Sequence, residues 1–248
     1  MKNTPTFFLL IFLLFKCTPK EQTTLHLIGD STCAQKNENR YPETGWGEKF
    51  GKFFDDKISV QNYAKNSRSS RTFIEENRWD SVYSRIQTGD YVFIQFGHND
   101  EVETKASYTT PEKFKANLKR FITDARAKQS NPVLLTPVCR RRFDDQGNFF
   151  DSHGQYARLT REVAEETSTD LIDMHTISMA ILVQYGKEES TKLYLHCAPG
   201  ECSNYPDGVT DDTHFSDLGA TVMAEALAKA ITGTEIPLRS HITIKKKL

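Results

Sequence analysis

Tyr91-Val92-Phe93-Ile94-Gln95-Phe96-Gly97-His98-Asn99-Asp100 is a nearly continuous apolar run that stops abruptly in a polar turn. Rich in aromatic and β-branched residues and closed by Gly97, it reads as a strand covered on both faces. Four shorter runs are of the same type: Leu25-His26-Leu27-Ile28, Ile58-Ser59-Val60, Val133-Leu134-Leu135 and Asp170-Leu171-Ile172. Between them lie segments with helical periodicity. Over Pro111 to Ile122, the side chains of Phe114, Leu118, Phe121 and Ile122 share one face, and Pro111 suits a first turn. Gln155 to Thr167 and Ser216 to Ile231 repeat the pattern, the latter with Ser216 as N-cap. Alternating strands and helices predict an α/β fold, a central five-stranded parallel sheet between two helical layers. Ligands of such sheets sit beyond the carboxyl ends of the strands, so the chemistry is expected in the segments that follow them.

Outside this frame, Lys2 precedes a short apolar stretch, Phe7 to Phe15. A membrane span needs about 20 residues, so residues 1–16 read as a signal peptide. Cys17 closes the stretch in the manner of a bacterial lipoprotein signal, which would make it the lipidated first mature residue, although Lys16 stands where a small residue is usual. Residues 17–23 are polar and read as a tether, leaving 24–248 as one domain. The expectation is an exported protein of the bacterial cell envelope, held to the membrane through its lipid. With 32 basic and 33 acidic residues, the chain has no electrostatic footprint for nucleic acid. The basic run Lys245-Lys246-Lys247 reads as a solvated tail. In an oxidising compartment Cys197 and Cys202, around Pro199-Gly200, suit a loop staple, whereas Cys33 and Cys139 read as buried thiols.

Four strand-end segments carry candidate chemistry. Gly29-Asp30-Ser31-Thr32 follows the first strand, where a serine on a tight strand-to-helix turn exposes its hydroxyl and its N–H. Asp211-Asp212-Thr213-His214 offers, in one short loop, a base and a carboxylate to fix its tautomer; its plainer reading is a capped helix start. Gly97-His98-Asn99-Asp100 contributes an uncharged amide donor suited to a developing oxyanion. Asn62-Tyr63-Ala64-Lys65-Asn66-Ser67-Arg68-Ser69-Ser70-Arg71 follows the second strand and has backbone N–H groups to add. Each alone is an ordinary polar turn.

Taken together and in this order, the segments resemble the SGNH (GDSL-type) hydrolases, most closely the rhamnogalacturonan acetylesterase-like branch. Pro42-Glu43-Thr44-Gly45-Trp46-Gly47, Arg68-Ser69-Ser70-Arg71-Thr72 and Asn204-Tyr205-Pro206 extend the resemblance, which runs from about Thr24 to Thr232. It implies a flavodoxin-like three-layer α/β/α sandwich and ester hydrolysis without metal or cofactor. Carried over by position, Ser31 would be the nucleophile, His214 the base and then acid, and Asp211 the residue orienting His214. The Ser31 N–H, the Asn99 side chain and the N–H of residue 67 would form the oxyanion hole. The family usually has glycine at this last position and this chain has Ser67, which keeps the donor but adds a Cβ where φ > 0 or close acyl approach is needed. Ser67 is therefore expected to narrow the enzyme to small acyl groups.

The implied substrate is acetyl on an acidic plant-wall polysaccharide or its oligosaccharides. Trp46 is a candidate face for a sugar ring, and Arg68, Arg71, His98 and the run Arg140-Arg141-Arg142 are candidate contacts to uronates. The bland readings are a core tryptophan and solvated arginines. Activity is expected to rise as His214 loses its proton near neutral pH. The competing readings are a lipase or thioesterase of the same family, which would need an apolar acyl pocket, a metallophosphoesterase, which would need Asp/His ligand pairs, and a catalytically inactive carbohydrate-binding lipoprotein.

Overall fold

Alternation along the strands divides the core into two halves. The computed structural model describes residues 22–244; the expected signal peptide, the expected anchor at Cys17, most of the expected tether and the basic tail lie outside the described residues. Five strands, β1 (Thr23–Gly29), β2 (Ile58–Asn62), β3 (Tyr91–Gln95), β4 (Asn131–Leu135) and β5 (Asp170–Ile172), form one parallel sheet in the order β2-β1-β3-β4-β5. Leu25, Leu27, Phe93, Val133 and Leu135 point into one hydrophobic cluster, while Ile28, Val92, Ile94 and Leu134 point into the other. Both faces are covered, which is why these runs are apolar throughout rather than alternating.

On the first face pack α1 (Trp46–Phe50), α6 (Met174–Glu189) and α7 (Asp217–Thr232). On the second pack α2 (Ser70–Glu75), α3 (Arg78–Tyr83), α4 (Pro111–Ala127) and α5 (Gly154–Thr167). The helix ends follow local chemistry. Thr110 caps α4 through Lys113 N–H with Pro111 in the first turn, and the Ser216 hydroxyl accepts from Gly219 N–H at the start of α7. The three-layer architecture expected from the sequence is the one observed.

The sequence gives no sign of an antiparallel ribbon. β6 (Tyr194–Cys197) and β7 (Val209–Phe215) pair antiparallel as a separate ribbon. A disulfide between Cys197 and Cys202 closes the turn region between them, as the spacing suggested, and Cys33 and Cys139 are buried free thiols. From that turn region the Asn204 amide donates to the carbonyls of Glu38 and Tyr41, and the Tyr205 hydroxyl donates to the carbonyl of Arg40. The ribbon is thereby tied to the loop that follows β1.

Candidate active site

The site is assembled at the carboxyl ends of β1, β2 and β3, with the ribbon closing one side. After Gly29 the chain makes a single turn rather than a helix, closed by Ala34 N–H donating to the Asp30 carbonyl. The close packing of this turn explains its glycines. A Cβ on Gly29 would stand 2.6 Å from the Gln95 carbonyl oxygen, one on Gly45 2.1 Å from that of Ala34, and one on Gly47 2.4 Å from that of Cys33. Gly45-Trp46-Gly47 therefore serves to bring α1 against the Ser31 turn.

Trp46, a candidate sugar platform from the sequence, is fully buried and offers no face to a ligand. Its ring packs edge-on to Phe50 and its indole N–H donates to Gln95 Oε1 at 2.9 Å. Gln95 Oε1 also accepts from the Thr32 hydroxyl, and its amide donates to the Thr136 carbonyl, so this buried strand-end glutamine locks turn, helix and sheet together.

The Ser31 hydroxyl lies 2.9 Å from His214 Nε2, and His214 Nδ1 lies 2.7 Å from Asp211 Oδ2. A bulge in the ribbon makes this possible. Tyr194 pairs with Phe215 and Leu195 with Asp211, so residues 212–214 are looped out between adjacent pairs and His214 is re-aimed toward Ser31. Asp211 Oδ1 accepts from the N–H groups of Thr213 and His214 at 2.7 and 3.0 Å, fixing the bulge from within. Burial alone would raise the Asp211 pKa, but the charge and hydrogen bonds of His214, with these backbone donors, outweigh it and hold the carboxyl well below its usual range. Asp212 is braced from behind: its carboxylate accepts from Arg141 and lies 2.9 Å from His196 Nε2, and its carbonyl accepts from Arg141 N–H.

On the opposite side of Ser31, Ser67 is exposed with φ 64°, the left-handed conformation that glycine adopts most readily. Asn99 is buried, and one of its amide hydrogens donates to the Arg68 carbonyl at 3.1 Å, joining the segments after β2 and β3. The other candidate contacts are occupied. Arg68 pairs with both carboxylate oxygens of Glu76, and Arg71 binds Glu75 and the carbonyls of Tyr108 and Ala106. Arg140 pairs with Glu101 and the His98 carbonyl, so of the arginine run only Arg142 is exposed.

His98 is not a surface contact either. It is buried, with Nδ1 3.6 Å from Asp30 Oδ2 and its ring against His153. Burial raises the Asp30 pKa, but His98 and the Thr32 N–H and hydroxyl pull it down to about 2. Asp100 behaves in the opposite way: burial pushes it from 3.8 up to about 7, against its bonds from Ser70 N–H and the Ser70 hydroxyl. An acid raised in the folded state contributes stability that is full below its unfolded value and is lost as pH rises through its folded value. Wild-type protein should therefore lose stability from this group between pH of about 4 and about 7, and Asp100→Asn should flatten that slope. Urea midpoints measured across this window test the assignment; equal slopes in both proteins would remove it.

Lys36 was not marked by the sequence and Glu43 only as a member of the Pro42–Gly47 block, and both lie buried beside the Ser31 turn. A lone lysine in Ala34-Gln35-Lys36-Asn37 carries no motif or periodicity that would single it out. Among the described residues no group of three His, Cys, Asp or Glu side chains is placed to hold a metal ion.

Residues 27–222 match the model of the GDSL-like lipase/acylhydrolase family. The chain belongs to that family. Within the GDSL-like acylhydrolases it is 37% identical over 228 residues to rhamnogalacturonan acetylesterase RhgT of Bacillus subtilis, covering 92% of this chain and 97% of RhgT. It is 35% identical to the probable rhamnogalacturonan acetylesterase YesY of the same organism, covering 88% of this chain and 96% of YesY. These near full-length matches place it in the rhamnogalacturonan acetylesterase-like branch. Among solved structures, Bacillus subtilis YxiM superposes with a TM-score of 0.75 at 25% identity, covering 87% of this chain and 58% of YxiM. The fold is shared with the acetylxylan esterase Axe2 of Geobacillus stearothermophilus, at a TM-score of 0.58 and 19% identity, over 87% of this chain and 97% of Axe2.

Proposed function

We propose that this GDSL-like acylhydrolase removes O-acetyl groups from pectic, rhamnogalacturonan-type polysaccharide through an acyl-enzyme on Ser31. The observation that carries the mechanism is the unbroken chain Ser31 Oγ, His214 and Asp211 at 2.9 and 2.7 Å. In this reading the Ser31 hydroxyl oxygen bonds to the acetyl carbonyl carbon as its proton passes to His214 Nε2. Asp211 Oδ2 accepts the Nδ1–H and steadies the imidazolium. The negative charge on the former carbonyl oxygen is met by the N–H groups of Ser31 and Ser67 and by the second amide hydrogen of Asn99. His214 then gives its proton to the sugar oxygen as the bond from that oxygen to the acetyl carbon breaks, and the sugar leaves as a free hydroxyl. Water, deprotonated by the same histidine, attacks the acetyl-serine, releasing acetate and restoring Ser31.

The pectic substrate rests on the relatives' names and on one surface cation. Arg40 is half-exposed, close enough to Asp211 to feel its charge, and carries Nε and Nη2 on Glu43 with its Nη1 uncommitted. That edge suits a uronate carboxylate, and it takes the place of the buried Trp46 in the substrate reading. A polymer of this kind is met outside the cell, in agreement with the export expected for residues 1–17. Acetate release from acetylated rhamnogalacturonan fragments should exceed release from acetylated xylan at matched acetyl concentration. Equal rates on both would reject the pectic assignment while leaving the esterase intact.

Ser67 bears on acyl size. Its left-handed backbone costs roughly 1 kcal/mol relative to glycine, and its side chain stands on the donor loop of the proposed oxyanion hole. Ser67→Gly should keep acetyl turnover within a few-fold and raise the butyryl-to-acetyl ratio. An unchanged ratio on a series of nitrophenyl esters would show that the Cβ does not limit the acyl group.

A further inference from the structure

Lys36 stands five residues beyond the nucleophile, with its side chain wholly buried and folded back beneath the turn. Its ammonium donates to the Ser31 carbonyl oxygen at 2.5 Å and to Asn66 Oδ1 at 2.9 Å, and it pairs with Glu43 Oε1 at 2.8 Å. An ammonium has three N–H donors and no acceptor; two are spent on the Ser31 and Asn66 oxygens, and the charge is met by Glu43.

The first two partners flank the two backbone donors of the oxyanion hole. Ser31 supplies one N–H itself, and the Asn66–Ser67 peptide supplies the other. These donors come from different strands, and the structure ties their residues to each other through this one ammonium. The Ser67 loop is also held by Lys65 N–H donating to the Gly29 carbonyl, on the far side of Asn66 from the donor, and by the Arg68 carbonyl accepting from Asn99, which ties it to the segment after β3 rather than to Ser31. Glu43 anchors the lysine in turn. It also binds Arg40, and the next residue, Thr44, donates its N–H to the Phe215 carbonyl, directly after His214. Burial would raise the Glu43 pKa, but the neighbouring Lys36 outweighs it and keeps the carboxylate ionised.

We propose that Lys36 is a positioning residue that sets the distance between the Ser31 and Ser67 N–H groups, and so the width of the oxyanion hole. The proposal rests on Ser31 being the nucleophile but not on the identity of the natural ester. A buried ion pair by itself adds little to stability, whereas a small displacement of a catalytic donor costs up to about 100-fold in rate.

The test uses the full-length protein, 4-nitrophenyl acetate as substrate, and a fluorophosphonate that forms an O–P bond with Ser31 and expels fluoride, the serine proton passing to His214. Lys36→Met should lower kcat and the phosphonylation rate by about 30- to 100-fold, with KM changed less than about threefold. The double variant Lys36→Met/Glu43→Gln separates positioning from charge balance. It should recover the melting temperature, because the buried Glu43 oxygen that has lost Lys36 no longer shares a negative charge, and kcat should stay low. Asn66→Ala, in a partly exposed loop, should lower kcat by about tenfold without loss of melting temperature, and it decides the matter if Lys36→Met does not fold. Recovery of kcat in the double variant, or an Asn66→Ala kcat within about threefold of wild type, would overturn the proposal. Wild type that is phosphonylated yet leaves acetylated pectin untouched would reject the pectic reading alone. Wild type that is not phosphonylated at Ser31 would overturn both.

Discussion

Ser31→Ala is expected to reduce acetate release by about 10⁴-fold or more, with the melting temperature essentially unchanged. The variant removes one oxygen whose hydrogen bond goes to His214 Nε2. The contacts that shape the turn run through other atoms: the Ser31 carbonyl, the Asp30 carboxylate with Thr32, and the Asp30 carbonyl with Ala34 N–H. The oxyanion donors therefore stay in place, and a residual rate above the uncatalysed one is expected from them. Turnover above about 1% of wild type, in a preparation free of contaminating esterase, would end the assignment of Ser31 as nucleophile.

Asp211→Asn is the second large effect, again about 10⁴-fold in kcat. The substitution is nearly isosteric. Asparagine Oδ1 can keep the bonds from Thr213 and His214 N–H, so the bulge that aims the imidazole survives. The atom facing His214 Nδ1 becomes an N–H₂ donor, and Nδ1 must then accept. The ring's remaining proton moves to Nε2, where it points at Ser31 and cannot take the serine proton. The same change alters acid stability. The Asp211 carboxyl is depressed on folding, so it contributes stability above the unfolded value of about 3.9 that is lost as pH falls through the lower folded value. Asp211→Asn should remove that acid-limb slope while leaving the protein folded at neutral pH. Wild-type kcat in the variant would show that His214 needs no orienting carboxylate.

The sheet was legible because its strands carry their signal locally: Tyr91–Gln95 is buried at every position and so is apolar at nearly every position. The ribbon was not legible for the opposite reason. Val209–Phe215 is half-buried and polar, since its residues serve the site rather than the core, and a bulged strand of Thr, Asp and His has no period to read. Helix α6 escaped notice because apolar residues such as Ile177, Met179, Ile181 and Val183 are spread around it without one dominant stripe. Ser31, Asp211, His214 and Asn99 could be named through ordered motifs. Of the two readings of Trp46 the core one is observed: its flanking glycines look like access for a ligand, whereas they admit backbone carbonyls of the chain itself. Arg140 and Arg141 are bound to carboxylates and carbonyls distant in sequence, partners that no local pattern encodes, whereas Arg68 and Arg71 pair with Glu76 and Glu75 in the same stretch of chain.

Ser31 and His214 are separated by 183 positions, and β1, which presents Ser31, lies inside the sheet between β2 and β3. The bulged ribbon that carries His214 follows all five strands of the sheet along the chain. Contacts of such long sequence separation form late, because loop-closure entropy opposes them until the intervening structure is in place. A nascent or partly refolded chain can thus hold a complete sheet and still lack hydrolytic power. Regain of esterase activity then times the docking of the ribbon against the turn after β1, a stage that circular dichroism of the sheet and helices would pass over unseen.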